Sequence, residues 1–218
     1  MKLTRLGHAC VRLEKHGTRL VIDPGSFSAP DAIDDAGAVL VTHEHADHVV
    51  SAALRAALVA RPALEVWAPA GVVATLTEGA PELVDQVHTV RAGDGFEAAG
   101  FAVEVFGALH AAVHREVPQV ANVAYLLDDT VLHPGDSFTA PPRAVTVLLV
   151  PISGPWLRLG DVVDYVRAVA PRIAVPIHDA LYSPAGQGLA DRLLGPHGLG
   201  IGGAEYRRPA DGEPMGLS

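Results

Sequence analysis

The sequence is short of several things, and each shortage closes off a class of function. It has one cysteine, Cys10, in 218 residues. That excludes an intramolecular disulfide and any multi-cysteine zinc site. It has only 2 lysines beside 14 arginines, and Asp plus Glu (25) outnumber Lys plus Arg (16), for a net charge of −9. Such a balance offers no basic footprint for a polynucleotide or an anionic membrane. No long apolar run is present either: stretches such as Ala144–Ile152 are about half the ~20 residues that cross a bilayer. Lys2 and Arg5 are followed by Arg12, Glu14 and Lys15 rather than by an apolar leader core, so a reducing cytoplasm is the expected location. Repeats, low-complexity tracts and linkers are absent.

What is present is apolar substance and histidine. Hydrophobic residues make up 49% and charged ones 19%, with a mean hydropathy of +0.26. That is the reverse of a disordered composition. Eleven histidines stand out against the 2 lysines. The length suits one domain, expected over residues 1–206, with 207–218 as a C-terminal tail of loop or frayed chain.

Patterning predicts strands over 2–6, 9–14, 19–22 and 38–41, then a helix over 48–60. A strand and helix follow at 64–68 and 71–78. Residues 86–133 read mostly as strands broken by Gly- and Asp-bearing turns. Alternation then resumes with strands at 145–150 and 173–177 and helices at 161–169 and 187–194. No glycine-rich phosphate loop joins a strand to a helix. The pattern is that of a layered α/β sandwich.

The chemistry concentrates in Thr42-His43-Glu44-His45-Ala46-Asp47-His48, directly after an apolar run of the kind found in strands covered on both faces. Imidazoles and a carboxylate this dense are ligands for a borderline divalent metal. Where the strand exit is extended, His43 and His45 point to the same side. With the chain turning into a helix near residue 48, Asp47 and His48 face a second point, so the segment offers half-shells to two adjacent metals. A helical His-Glu-x-x-His protease motif is excluded, because position 47 is Asp. The bland alternative is a solvated His/Asp patch. Further ligands are expected at strand ends, where His110, Asp136 and His178 stand. Each alone reads as a turn or a hydrogen-bonded residue, and their shared placement after apolar strands is what recommends them.

Taken in order, His43-x-His45-x-Asp47-His48, His110, Gly135-Asp136 and His178 resemble the metallo-β-lactamase-fold hydrolases. The opening Met1–Ala9 segment, Asp23-Pro24-Gly25 and His133-Pro134-Gly135-Asp136-Ser137 are more similar to its small branch of L-ascorbate-6-phosphate lactonase-like and related metal-dependent hydrolases. The resemblance spans about residues 1–185. It implies a four-layer αββα sandwich with His43, His45 and His110 on one metal, Asp47, His48 and His178 on a second, and Asp136 bridging. Asp47 and Asp136 would be the catalytic carboxylates. His8, in a motif shared with that branch, is expected to make a structural hydrogen bond.

Two divalent ions bring about +4, which two carboxylates and a bridging hydroxide reduce to about +1. Such a centre activates hydroxide near neutral pH and attracts anions locally. The expected function is hydrolysis of a small-molecule ester, lactone or related bond. The alternatives are a phosphodiesterase or nuclease of the same fold, and a metal-binding redox protein. Zinc is the expected metal, with manganese or iron as alternatives. The expected partner is a small-molecule substrate, an anionic one being admitted, with no nucleic acid and no membrane; a homo-oligomer stays open. Asp23 or Asp179 is expected to back a ligating imidazole, salt-bridging or capping being the alternative for both. Residues 111–119 with His114 and Arg115, 138–143, and 154–158 with Trp156 are expected to meet substrate, with Arg115 or Arg158 available for an anionic group. His16, His88 and His197 are read as surface residues.

Overall fold

The computed structural model describes residues 1–217. The first half contains strands β1 (Lys2–Arg5), β2 (Val11–Lys15), β3 (Thr18–Ile22), β4 (Ala38–Leu40), β5 (Glu65–Ala68) and β6 (Val87–Thr89). Helices α1 (Ser51–Ala60) and α2 (Ala70–Thr77) lie between its later strands. The second half contains β7 (Gly95–Ala98), β8 (Phe101–Phe106), β9 (Ala124–Leu127), β10 (Val131–His133), β11 (Val147–Pro151), β12 (Ile173–Ile177) and β13 (Glu205–Tyr206), with α3 (Leu159–Val169) and α4 (Pro184–Leu194). The last strand, β14 (Pro214–Gly216), returns to the first sheet.

Each half forms a seven-stranded mixed sheet, in the orders β14-β1-β2-β3-β4-β5-β6 and β13-β12-β11-β10-β9-β8-β7. Strands joined by tight turns pair antiparallel, as in β1-β2-β3 and β7-β8-β9-β10. From β3 to β6 and from β10 to β13 the pairing is parallel, which requires longer connections. In these parallel halves both faces of a strand are covered. Leu20, Ile22, Ala38 and Leu40 enter the core between the sheets, whereas Val21, Val39 and Val41 pack with Leu54 and Leu58 of α1 and Val72 and Leu76 of α2. The second sheet repeats the arrangement: Val147 and Leu149 face the other sheet, and Leu148 and Val150 face Val162 and Val166 of α3. The result is the four-layer αββα sandwich, an α/β fold.

Packing holds the outer helices more than caps do. α1, α2 and α3 have no side-chain N-cap, whereas Ser183 Oγ accepts the Gly186 N–H at the start of α4. Each fully buried Val or Leu on these faces contributes about 1.5–3 kcal/mol, more than a cap's ~1 kcal/mol.

Three expectations need correction. α1 begins at Ser51 rather than near residue 48, because the His48 and Val49 amides both donate to the His45 carbonyl (2.9 and 3.0 Å) and close a tight turn first. Residues 81–86 form a 3₁₀ turn that the pattern did not indicate. The segment from Arg207, expected to be loop or frayed, is loop only as far as Glu213; Pro214–Gly216 then pairs antiparallel with β1, Met215 opposite Leu3. Among the described residues no helix is long and apolar enough to cross a membrane.

Candidate metal centre

The site lies along one rim, where strands of both sheets end. His43–His48 follow β4, His110 lies between β8 and β9, Asp136 follows β10, and His178 follows β12 directly. All seven expected site residues meet there. His43 Nε2 and His45 Nδ1 are 3.0 Å apart, and with His110 they present nitrogens within 4.8 Å of one another. Asp136 stands between this group and the rest. Its Oδ1 is 3.3 Å from His48 Nε2, and its Oδ2 is 3.2 Å from His110 Nε2 and 3.1 Å from His178 Nε2. Asp47 Oδ2 completes the far side, 3.5 Å from His178 Nε2.

The imidazoles are held by their other nitrogens, which fixes which nitrogen faces inward. His48 Nδ1 donates to Asp23 Oδ2 (2.7 Å), His110 Nδ1 to the Ala111 carbonyl (2.6 Å) and His178 Nδ1 to the Ser153 carbonyl (2.7 Å). Thr42 Oγ1 gives its proton to Asp23 Oδ2 (2.7 Å), so it accepts from His43 Nδ1 (3.0 Å). In each case Nδ1 is engaged and Nε2 is the nitrogen turned toward the centre. Asp23 is therefore the backing carboxylate of the two considered. Asp179 instead pairs with Arg5 and Arg208 and touches no ligand imidazole.

His8 is settled by the same reasoning. Its Nδ1 accepts the Ala180 N–H (3.1 Å), so the neutral ring carries its proton on Nε2 and donates to Asp47 Oδ2 (3.1 Å). In that geometry His8 orients Asp47, and it stands within ligand distance of Asp47, His48 and His178. The chain leaves its strands sharply to reach these positions: His8, Asp23 and His178 have φ of +53°, +52° and +58°, the left-handed region. Such residues cost about 1–3 kcal/mol each and persist only where surrounding contacts hold them. Gly135 (φ +61°) has no alternative, since a Cβ there would lie 2.3 Å from Asn122 Oδ1 and 2.8 Å from Thr42 Cβ. Gly25 lets its backbone lie against the 47–48 peptide, where a Cβ would be 1.9 Å from the Asp47 carbonyl.

The charges sort cleanly. Burial holds the His43 and His45 imidazoles below their ordinary range, in the neutral form that ligates. Burial also opposes charge on His48, but Asp23 and Asp136 outweigh it and push its pKa up to about 10. His178 likewise rises to about 9 against burial, through Asp136 and Asp47. Both carboxylates are held well below their usual range: burial opposes this, but His178 and His8 prevail at Asp47, and His48, His110 and His178 at Asp136. Even so, His48 Nε2, His178 Nε2 and Asp136 Oδ1 are buried without a hydrogen-bond partner. Buried polar atoms are rarely left so, and three converging on one point mark a place built for a cation. Nitrogen and carboxylate donors fit a divalent transition metal.

Sequence reasoning missed the supporting residues. Thr42 links Asp23 to His43; Asn122 Oδ1 accepts the Asp136 amide (3.0 Å) while its Nδ2 donates to the Pro134 carbonyl (3.0 Å). The arginines proposed for an anion are exposed: Arg158 pairs with Asp161 (2.9 Å), and Arg115 lies 3.8 Å from Glu116. Apolar side chains line the rim instead. Val113, Val117 and Pro118 share a small pocket with His45 and His110, and the half-exposed Phe27 meets His8 edge-on at 5.2 Å. Of the outlying histidines, His88 lies in β6, pairs with Glu65 (3.0 Å) and stacks near Trp67, away from the site.

Comparison with known proteins agrees with this fold. A family model described as a β-lactamase superfamily domain matches residues 2–178. A protein of Mycobacterium tuberculosis is 38% identical across 87% of this chain and 89% of its own length. A protein of Carboxydothermus hydrogenoformans, named as a metal-dependent hydrolase, is 27% identical across 82% of this chain and 84% of its own. Among solved structures, a metallo hydrolase from Ignicoccus hospitalis shares the fold with a TM-score of 0.71, over 100% of this chain and 99% of that one, at 20% identity.

Proposed function

The chain belongs to the β-lactamase superfamily, and on that premise we propose that it is a dinuclear metal-dependent hydrolase of a small-molecule ester or lactone. The observation that carries the reading is the convergence of seven side chains from both sheets on one rim, with three of their buried polar atoms unpartnered. His43, His45 and His110 would hold one ion, Asp47, His48 and His178 the other, and Asp136 both. Zinc is the metal proposed, and manganese or iron suits the same donors. Bound there, a divalent ion supplies Lewis acidity, polarising a substrate oxygen and making water a usable nucleophile near neutral pH.

The protein's own contribution is orientation. Asp23, Ser153 and Ala111 fix the imidazoles, and His8 fixes Asp47. Asp47, partly exposed at the mouth, is the carboxylate that an entering substrate meets first. The apolar rim beside His45 and His110 favours a neutral ester or lactone over a phosphodiester.

The test is metal analysis of the purified protein, together with assays on p-nitrophenyl esters, lactones and bis-p-nitrophenyl phosphate. Two ions per chain with ester or lactone turnover is the expected result. Turnover of the phosphodiester alone, or bound iron without hydrolysis, would overturn it. His45→Ala and Asp136→Ala should each lose activity and metal; unchanged metal content in both would remove the site assignment.

A further inference from the structure

One group in the 154–158 stretch, expected from the sequence to meet substrate, touches the centre itself. Trp156, partly buried in the loop between β11 and α3, donates its indole Nε1–H to Asp136 Oδ2 at 3.0 Å. We propose that Trp156 is a positioning residue for the metal centre, setting the rotation of the Asp136 carboxylate so that Oδ2 stands between His110 of one imidazole group and His178 of the other while Oδ1 faces His48. The inference rests on the metal-site reading and goes beyond it, since neither the motif nor the comparisons assign this residue a role.

Three observations support it. The Asp136 carboxylate meets only four nitrogens among the described residues: His48, His110 and His178 Nε2 and the Trp156 indole. An imidazole nitrogen bound to a cation carries no proton, so with metal in place the three histidines cease to be donors. Trp156 is then the sole side-chain donor to Asp136, and indole can only donate. Second, the loop is shaped to deliver the ring. Gly154 has φ +146°, and a Cβ on it would stand 2.8 Å from Trp156 Nε1, so the indole lies where any other residue at 154 would push it away. The Leu157 amide returns to the Gly154 carbonyl (3.2 Å) and closes the turn around Pro155 and Trp156. Third, the ring is steadied from behind by Phe138, edge-on at 5.3 Å, and lies 6.0 Å from His110 and 6.5 Å from His178. It thus borders both imidazole groups that share Asp136.

The fold itself does not depend on this hydrogen bond, because the residue lies on the rim and Trp156→Phe retains most of the ring. Removing a partner that orients a ligand typically weakens metal binding about 10- to 100-fold. The experiment titrates metal-stripped full-length protein with zinc against a chromophoric chelator, for wild type, Trp156→Phe and Gly154→Ala. The second variant retains the indole but displaces it. Both variants should bind zinc about 10- to 100-fold more weakly than wild type, with unchanged far-ultraviolet circular dichroism.

Tryptophan emission provides a readout independent of activity. The chain has 2 tryptophans, and the other, Trp67, is buried between the sheets and stacked on Phe96 at 5.2 Å. Zinc should change the emission of wild type and leave that of Trp156→Phe unchanged. Wild-type zinc affinity in Trp156→Phe would overturn the proposal, including when KM alone rises, since that result would make Trp156 only a wall for substrate. Wild-type emission indifferent to bound zinc would also overturn it. Failure of wild type to bind zinc at all is a different outcome, which removes the metal-site reading itself.

Discussion

At the scale of single residues, the site is a set of histidines told which nitrogen to present. Asp23 bears the heaviest part of that task, accepting from the Thr42 amide (2.7 Å), Thr42 Oγ1 (2.7 Å) and His48 Nδ1 (2.7 Å) with no exposure to solvent. Asp23→Asn would turn one accepting oxygen into a donor facing these groups. Zinc affinity should fall about 10- to 100-fold, measured by competition with a chelator. Cys10 makes the opposite kind of prediction. Burial pushes its pKa from 9.0 up to about 12, so the native thiol should ignore a disulfide reagent at pH 8 and react only on unfolding. The sign for stability follows. Between pH 9 and 12 the unfolded thiol loses its proton while the folded one retains it, so this residue's contribution declines as pH rises through that window.

At the scale of elements, the turns that carry the site residues are anchored by strands whose helices pack behind them. Leu58 of α1 is fully buried among Val39, Val66 and Leu76. Leu58→Ala should cost about 2–5 kcal/mol, seen as a lower denaturant midpoint, while zinc stoichiometry stays at the wild-type value. A parallel loss of metal would show that α1 and the 43–48 turn are coupled. This is also the scale at which the sequence was most and least readable. His43, His45, Asp47 and His48 lie within one short stretch, so their chemistry was local. His110, Asp136 and His178 were found because each follows an apolar strand. Thr42 and Asn122 were not, and Trp156 was placed only in a stretch expected to meet substrate, because their contacts run through space and no spacing encodes them. β14 was missed for the same reason: Pro214-Met215-Gly216 has little strand character of its own and takes its conformation from β1, at the other end of the chain. The start of α1 was misplaced because the amides of His48 and Val49 turn back to His45 before the helix begins.

At the scale of the whole molecule, the centre draws His43, His45, Asp47 and His48 from the first sheet and His110, Asp136 and His178 from the second. An ion held by both should clamp the two sheets together, and ligands that bind only the folded state raise its stability by mass action. Removing metal with a chelator should therefore lower Tm by several degrees, with recovery when zinc is restored, both read by calorimetry. An unchanged Tm would mean that the cage is equally stable empty.

The rim also separates two kinds of construction. Asp136 and His178 leave β10 and β12 on backbone with positive φ at Gly135 and His178, whereas Val113 and Val117 belong to a long excursion between β8 and β9 that carries little of the core. His110 and Asn122 tie that excursion to the site at both ends, so on the proposed reading only the stretch around Val113 and Val117 would be exchangeable for one of another shape and polarity while the seven site residues stay in place. A scaffold of this kind can change its diet without relearning how to digest.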